Sequence, residues 1–270
     1  MPQFEHQGIE LFYDLKGQGN ETVVFLNGIM MSTESWKMQS DLFSKKYTVL
    51  LNDFRGQGRS SMPDEPYTFD QHVEDLKALL DHLKITSAHF VGTSYGAEVG
   101  MKFALKYPKQ IKPLTLATAV SESDFLLKEK VESWAIAARH AISYGEKADF
   151  FLLSAPFNFS SPFLEKNPDF YEKQIAKIKE LPDSWFKAFI RLCDCFKTLD
   201  ATKELHKLKM PVFVLAGEYD ILKSVRFSAI MSKKISNVEA MIVMDAGHAL
   251  VIEKAAEFNS AVTGFIDKHS

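Results

Sequence analysis

Short runs of consecutive apolar residues recur along the chain, each followed by turn-forming residues and then by a segment whose apolar positions repeat every three or four residues. Residues 22–26, 47–51, 88–91, 113–117, 212–216 and 240–244 carry the first pattern and predict strands. Several are apolar on successive positions, as strands covered on both faces must be. Residues 9–14 and 22–26 flank Gly17-Gln18-Gly19-Asn20 and predict an early strand pair joined by that turn. The helical pattern is clearest over 68–83, where Val73, Leu76, Leu79, Leu80 and Leu83 share a face and Thr68 with Gln71 forms a capping box. Residues 95–106, 225–234 and 253–268 predict three more amphipathic helices. Strands alternating with helices imply an α/β fold, with a mostly parallel, doubly wound sheet.

The alternation lapses between residues 121 and 200, where helical patterns and Pro/Asn/Ser-rich turns occur without a convincing strand. This predicts an α/β core of residues 1–120 and 201–270, with residues 121–200 inserted as an all-helical cap. Ten of the 22 phenylalanines lie inside the insertion: Phe125, Phe150, Phe151, Phe157, Phe159, Phe163, Phe170, Phe186, Phe189 and Phe196. Most should form the cap's own core, with roughly a third facing a ligand cavity.

Composition narrows the class. A hydrophobic fraction of 46% with 25% charged residues excludes a disordered chain and a polytopic membrane protein. A net charge of −3 offers no field for nucleic acid or anionic lipid. The first residues lack the pattern of a signal peptide, and no apolar run approaches the ~18 residues of a membrane span. A cytoplasmic location is the default expectation. Cys193 and Cys195, two apart, read as reduced thiols on a helix. No metal or cofactor is expected: H-E-x-x-H and P-loop patterns are missing, and Gly56-Gln57-Gly58 has Ser61 where a dinucleotide fingerprint needs its third glycine.

The candidate chemistry begins at Gly92-Thr93-Ser94-Tyr95-Gly96, a Gly-x-Ser-x-Gly set between a predicted strand and a predicted helix. A sharp turn there lifts the serine hydroxyl above the sheet, and glycine is required where side chains would meet neighbouring backbone. The following helix N-terminus favours developing negative charge. A serine nucleophile needs a base, and of eight histidines His248 has the right setting, on the loop between a strand and the last helix, at the carboxyl end of the sheet. His72 and His82 fall at or near polar positions of their helix, His89 reads as structural, and His140 and His206 read as solvated. The base needs a carboxylate partner, and Asp220 lies just past the strand 212–216; Glu218 is its nearest competitor. Asp53, in a turn, reads as structural.

The order Ser94, Asp220, His248 follows the α/β-hydrolase arrangement. From residue 22 onward the chain resembles the α/β-hydrolase superfamily, in the branch with a helical cap inserted after the sixth strand. The resemblance rests on Leu26-Asn27-Gly28-Ile29, the stretch from Asp53 to Ser60, Gly92 to Gly96, Gly217 to Asp220, and Gly247-His248 with Glu253 downstream. It implies that Ser94 is the nucleophile, His248 the base, Asp220 the orienting acid, and the backbone N–H groups of Ile29 and Tyr95 the oxyanion hole. Two positions depart from the family pattern: Asn27 stands where His is usual, and Ala255 where Pro is common. The segment from Asn27 to Trp36 looks like a subset that includes the acyltransferase of rhamnolipid precursor synthesis. The activity implied is hydrolysis of an ester or thioester of a small, apolar, short-to-medium acyl group. The alternatives on the same frame are acyl transfer to an alcohol, carbon–carbon bond hydrolysis, cofactor-free haloperoxidase or hydroxynitrile lyase chemistry, and a binding receptor without turnover.

Overall fold

A computed structural model of the chain describes residues 2–270. In chain order its elements are β1 (Gln3–His6), β2 (Ile9–Lys16), β3 (Thr22–Leu26), α1 (Lys37–Phe43), β4 (Thr48–Asn52), α2 (Phe69–His82), β5 (Ala88–Thr93), α3 (Tyr95–Lys106) and β6 (Ile111–Ala117). Five helices without a strand follow: α4 (Phe125–Tyr144), α5 (Lys147–Ser154), α6 (Ser161–Lys166), α7 (Phe170–Lys179) and α8 (Asp183–Lys197). The chain then returns through β7 (Val212–Gly217), α9 (Val225–Lys234), β8 (Val238–Val243), α10 (Leu250–Glu253) and α11 (Ala255–Lys268). The strands form one sheet in the order β1-β2-β4-β3-β5-β6-β7-β8. β2 runs antiparallel to both its neighbours, and the strands from β3 to β8 are parallel.

The pleat sorts the strand residues between two cores. Val24, Leu26, Leu50 and Phe90 face the side carrying α2, α3 and α9, whereas Val23, Phe25, Val49, Leu51 and Val91 face α1 and α11. This two-sided burial explains the unbroken apolar runs of the central strands. An isolated bridge between Glu122 and Asp200 closes the neck where the strand-free segment leaves and rejoins the sheet. Within that segment Phe150, Phe186 and Phe189 are buried together, with Phe150 edge-on to Phe189 at 4.9 Å between ring centroids.

Three features differ from the sequence expectation. β2 and β3 are not partners, because β4 lies between them, with Tyr13 opposite Asn52 and Val24 opposite Leu50. The Gly17–Gly19 turn passes against the backbone leading into β4 instead of closing a hairpin. A Cβ on Gly19 would stand 2.2 Å from the Lys46 carbonyl oxygen. The apolar β3 thereby gains two parallel neighbours, and β2, with Glu10, Asp14 and Lys16, takes the position nearer the edge. The last predicted helix, 253–268, begins two residues late as α11, and the non-helical backbone of Lys254 separates it from the short α10, whose Glu253 turns back toward Gly247. Three elements, β1, α1 and α10, had no sequence forecast.

His72 is the third difference. It lies fully buried among the rings of Phe54, Tyr67 and Tyr95 instead of at a polar position. Burial, with a smaller push from Arg55, holds its pKa down at about 3. An unfolded chain takes up this proton near the usual pKa of about 6.5, while the folded protein refuses it until pH is near 3. Stability is therefore full above pH ~6.5 and falls as the solution is acidified, by on the order of 4 kcal/mol by pH ~3. Urea denaturation across this range should show a shallower acid slope for His72→Phe than for the wild type; identical slopes would refute the assignment.

Candidate active site

Ser94 occupies the junction between β5 and α3 with φ 52° and ψ −121°, a left-handed conformation that costs a non-glycine residue energy. The surroundings enforce it. Its N–H donates to the Ala117 carbonyl at 2.9 Å, and its own carbonyl accepts from the N–H groups of Ala97 and Glu98. A Cβ on Gly92 would stand 2.5 Å from Ala97 Cα, and one on Gly96 would stand 2.2 Å from the Leu26 carbonyl oxygen. Both contacts are with backbone, so neither position accepts a side chain without moving β3 or α3.

The structure joins Ser94, His248 and Asp220 in one hydrogen-bonded chain. His248 Nε2 lies 2.9 Å from Ser94 Oγ, and Nδ1 lies 2.8 Å from Asp220 Oδ2. The other carboxylate oxygen of Asp220 accepts the backbone N–H groups of Leu222 at 2.9 Å and Lys223 at 2.7 Å. Together with the imidazole these donors fix the plane of the carboxylate. Glu218, the rival acid, faces elsewhere and accepts the Asp245 N–H at 3.0 Å. The loop bearing His248 is tied to the helical insertion: Glu253 accepts from the Gly247 N–H at 3.0 Å and from the Ser160 hydroxyl at 2.6 Å, and the Ala249 N–H donates to the Asn158 carbonyl at 2.7 Å.

Ile29 and Tyr95 border the same cavity as Ser94. Tyr95 is the first residue of α3, so its N–H has no partner within the helix. The Gly28 carbonyl oxygen is held by Gln57 Nε2 at 2.8 Å, which turns the Ile29 N–H of the same planar peptide to the side away from Gln57. Asn27 does not itself border this cavity. Its amide donates to the Asn52 carbonyl at 3.0 Å, its oxygen accepts from Trp36 Nε1 at 2.8 Å, and it is fully buried between the ends of β3 and β4. Asp53 is an anchor for the same loops, accepting the N–H groups of Thr33 at 2.6 Å and Arg59 at 2.9 Å.

Leu127, Val131 and Trp134 of α4 and Phe196 of α8 cover Ser94. Of the ten phenylalanines in the insertion, Phe196 is on the cavity wall, fewer than the sequence reading expected. Most of the others fill interior gaps or stack on each other, as Phe159, Phe163 and Phe170 do, while Phe125 is exposed. Among the described residues no group of three or more His, Cys, Asp or Glu could hold a metal ion, and no helix is long and apolar enough to cross a membrane.

Two residues at the site escaped the sequence reading. The Lys223 ammonium lies 3.2 Å from Ser94 Oγ and 2.9 Å from each carboxylate oxygen of Glu98. Lys223 is 3% exposed and Glu98 not at all. Burial pushes the carboxyl up and the ammonium down, and each partner's charge opposes the shift of the other. No local pattern could have found the pair, since position 98 looks like an ordinary acid in a first helical turn and position 223 like a loop lysine.

The alpha/beta hydrolase fold family matches residues 21–255. The 3-oxoadipate enol-lactonase 2 of Acinetobacter baylyi is 28% identical over 257 residues, covering 95% of this chain and 92% of its own. Among solved structures, MGS-M2, an alpha/beta hydrolase enzyme from a Medee basin deep-sea metagenome library, superposes with a TM-score of 0.94 at 32% identity, over 98% of this chain and 97% of that one. The enol-lactonase from Burkholderia xenovorans superposes with a TM-score of 0.86 at 27% identity, over 98% of this chain and all of its own. With a family match over most of its length and the sheet order and strand-to-helix elbow described above, this chain belongs to the α/β-hydrolase family.

Proposed function

We propose that this chain is a serine hydrolase that cleaves esters, thioesters or lactones of small, apolar acyl groups through an acyl-serine. The observation that carries this reading is the continuous hydrogen-bonded chain from Ser94 through His248 to Asp220, opening under an apolar cover. Ser94 Oγ forms a bond to the acyl carbon while its proton passes to His248 Nε2. Asp220 holds the tautomer that leaves Nε2 free to accept, and it stabilises the imidazolium that results. The N–H groups of Ile29 and Tyr95, at the positive end of α3, receive the negative charge on the carbonyl oxygen. The leaving oxygen or sulfur takes the proton from Nε2 as its bond to carbon breaks. Water then repeats the sequence against the acyl-serine, with His248 as base, and frees the acid and Ser94.

The enol-lactonases among the relatives support the inclusion of cyclic esters, whose leaving oxygen stays tethered to the acyl group. The space over Ser94 is narrow and walled by Leu127, Val131, Trp134, Phe196 and Leu222, which supports short apolar acyl chains over long ones. Its cover, residues 121–200, is the part we assign to substrate selection. The likeness of the segment from Asn27 to Trp36 to an acyltransferase does not carry an alcohol acceptor, because Asn27 and Trp36 are spent on each other in the loop interior.

The test is labelling with a fluorophosphonate, followed by peptide mapping, alongside p-nitrophenyl esters of increasing acyl length and simple lactones. We expect the label on Ser94 and rates that fall beyond medium acyl chains. An unlabelled Ser94, or a strict preference for charged or sugar esters, would overturn the reading.

A further inference from the structure

We propose that Lys223 is a catalytic cation of this site: its ammonium, gripped by the buried Glu98 carboxylate, donates a hydrogen bond to Ser94 Oγ and stabilises the negative charge on that oxygen whenever its bond to the acyl carbon forms or breaks. The inference rests on Ser94 being the nucleophile.

The donor count decides what Lys223 can do. An ammonium has three N–H groups and no acceptor. Two are directed to Glu98 Oε1 and Oε2, each at 2.9 Å, and the third to Ser94 Oγ at 3.2 Å. None remains for a substrate carboxylate or carbonyl, although Lys223 borders the cavity. Because the ammonium cannot accept, Ser94 must, and its own O–H is left to point at His248 Nε2, 2.9 Å away. Lys223 thus selects the hydroxyl rotamer that delivers the proton to the base. The mounting is rigid on every side. Glu98 sits one turn after Ser94 on α3 and also accepts the Val120 N–H at 3.0 Å, the Lys223 N–H is bound to Asp220, and the ammonium lies 4.6 Å from the Phe196 ring centroid. A buried ion pair brings little stability compared with apolar side chains of the same volume. Its place against the nucleophile is therefore better explained by chemistry.

Lys223 keeps its protons throughout. In acylation the Ser94 proton goes to Nε2 as the Oγ–C bond forms. In deacylation the C–Oγ electron pair returns to Oγ, and the proton returns from Nε2. The titratable groups around the pair are Asp220 on the same loop, His248 after β8, Tyr95 at the start of α3, and Cys193 and Cys195 on α8. Burial raises the phenol and both thiols, so they stay neutral.

The experiment compares wild type, Lys223→Met, Glu98→Gln and the double variant by p-nitrophenyl acetate burst kinetics and fluorophosphonate labelling rate across pH. Lys223→Met should slow the burst, turnover and labelling by about 10- to 100-fold with little change in KM, less than a dedicated oxyanion donor because Glu98 offsets the charge. Glu98→Gln removes the counter-charge, so Lys223 loses its proton more readily. Its activity should fall as pH rises, along an alkaline limb that the double variant lacks. A Lys223→Met burst and labelling rate within about twofold of wild type would overturn the proposal. So would a Glu98→Gln profile with no new alkaline limb, or one that rises with pH and so makes Lys223 a proton acceptor. Should Lys223→Met fail to fold, the Glu98→Gln profile decides alone. A wild type that is not labelled at Ser94 would instead refute the serine-hydrolase reading.

Discussion

Ser94→Ala is expected to lower kcat on p-nitrophenyl acetate by about 10⁶ while leaving the fold intact. Alanine meets the same backbone demand at φ 52° as serine, and the hydrogen bonds that hold the turn come from main-chain groups of Ala117, Ala97 and Glu98. What disappears is the one oxygen that His248 Nε2 reaches at 2.9 Å. His248→Ala should cost about as much, and the double variant hardly more, because in the proposed mechanism the two side chains act as a unit in a single proton transfer. Steady-state rates with the three purified variants, beside their thermal melting curves, check this. A Ser94→Ala protein that retains more than about a hundredth of the wild-type rate would mean that another group opens the ester.

The parts of this site that could be read from the chain are those whose residues are close in sequence or set by backbone geometry. The elbow is legible because Gly92 and Gly96 are dictated by contacts with Ala97 and Leu26 that any such turn produces. The placement of Asp220 and His248 is legible because each follows a strand of the parallel part of the sheet, β7 and β8, and parallel strands bring their carboxyl ends to one rim. Strand partners were harder. The turn at Gly17 and Gly19 has hairpin composition, and only the long-range pairing of β4 with β2 and β3 shows that it crosses a strand end. His72 was misplaced because a single polar residue on a helix says nothing about whether Tyr67 and Tyr95 close over it. Lys223 and Glu98 are 125 residues apart and meet through the fold alone. Likewise, the phenylalanine surplus reports how much apolar bulk the insertion needs, whereas which ring reaches Ser94 depends on how α4 and α8 cross.

Asp220→Asn tests a different link, and its expected cost is about 10⁴ in kcat with little change in KM. The hydrogen bonds on either side of the carboxylate set this cost. Oδ1 accepts two backbone N–H groups, from Leu222 and Lys223, and those donors cannot turn away without unwinding the loop. In the variant the amide oxygen must therefore take the Oδ1 position, since an NH₂ there would face two N–H donors. The NH₂ is then forced toward His248 Nδ1, which must accept instead of donate. A neutral imidazole accepting at Nδ1 carries its proton on Nε2, so it presents a donor to Ser94 where an acceptor is needed. The side chains stay in place, the turn stays capped, and the base is lost through its tautomer alone. Asp220→Ala discriminates this from a loss of packing: without the amide nothing enforces the wrong tautomer, so the alanine variant should be the more active of the two despite the larger void. If Asp220→Asn outperforms Asp220→Ala, or matches wild type, Asp220 does not set the protonation of His248.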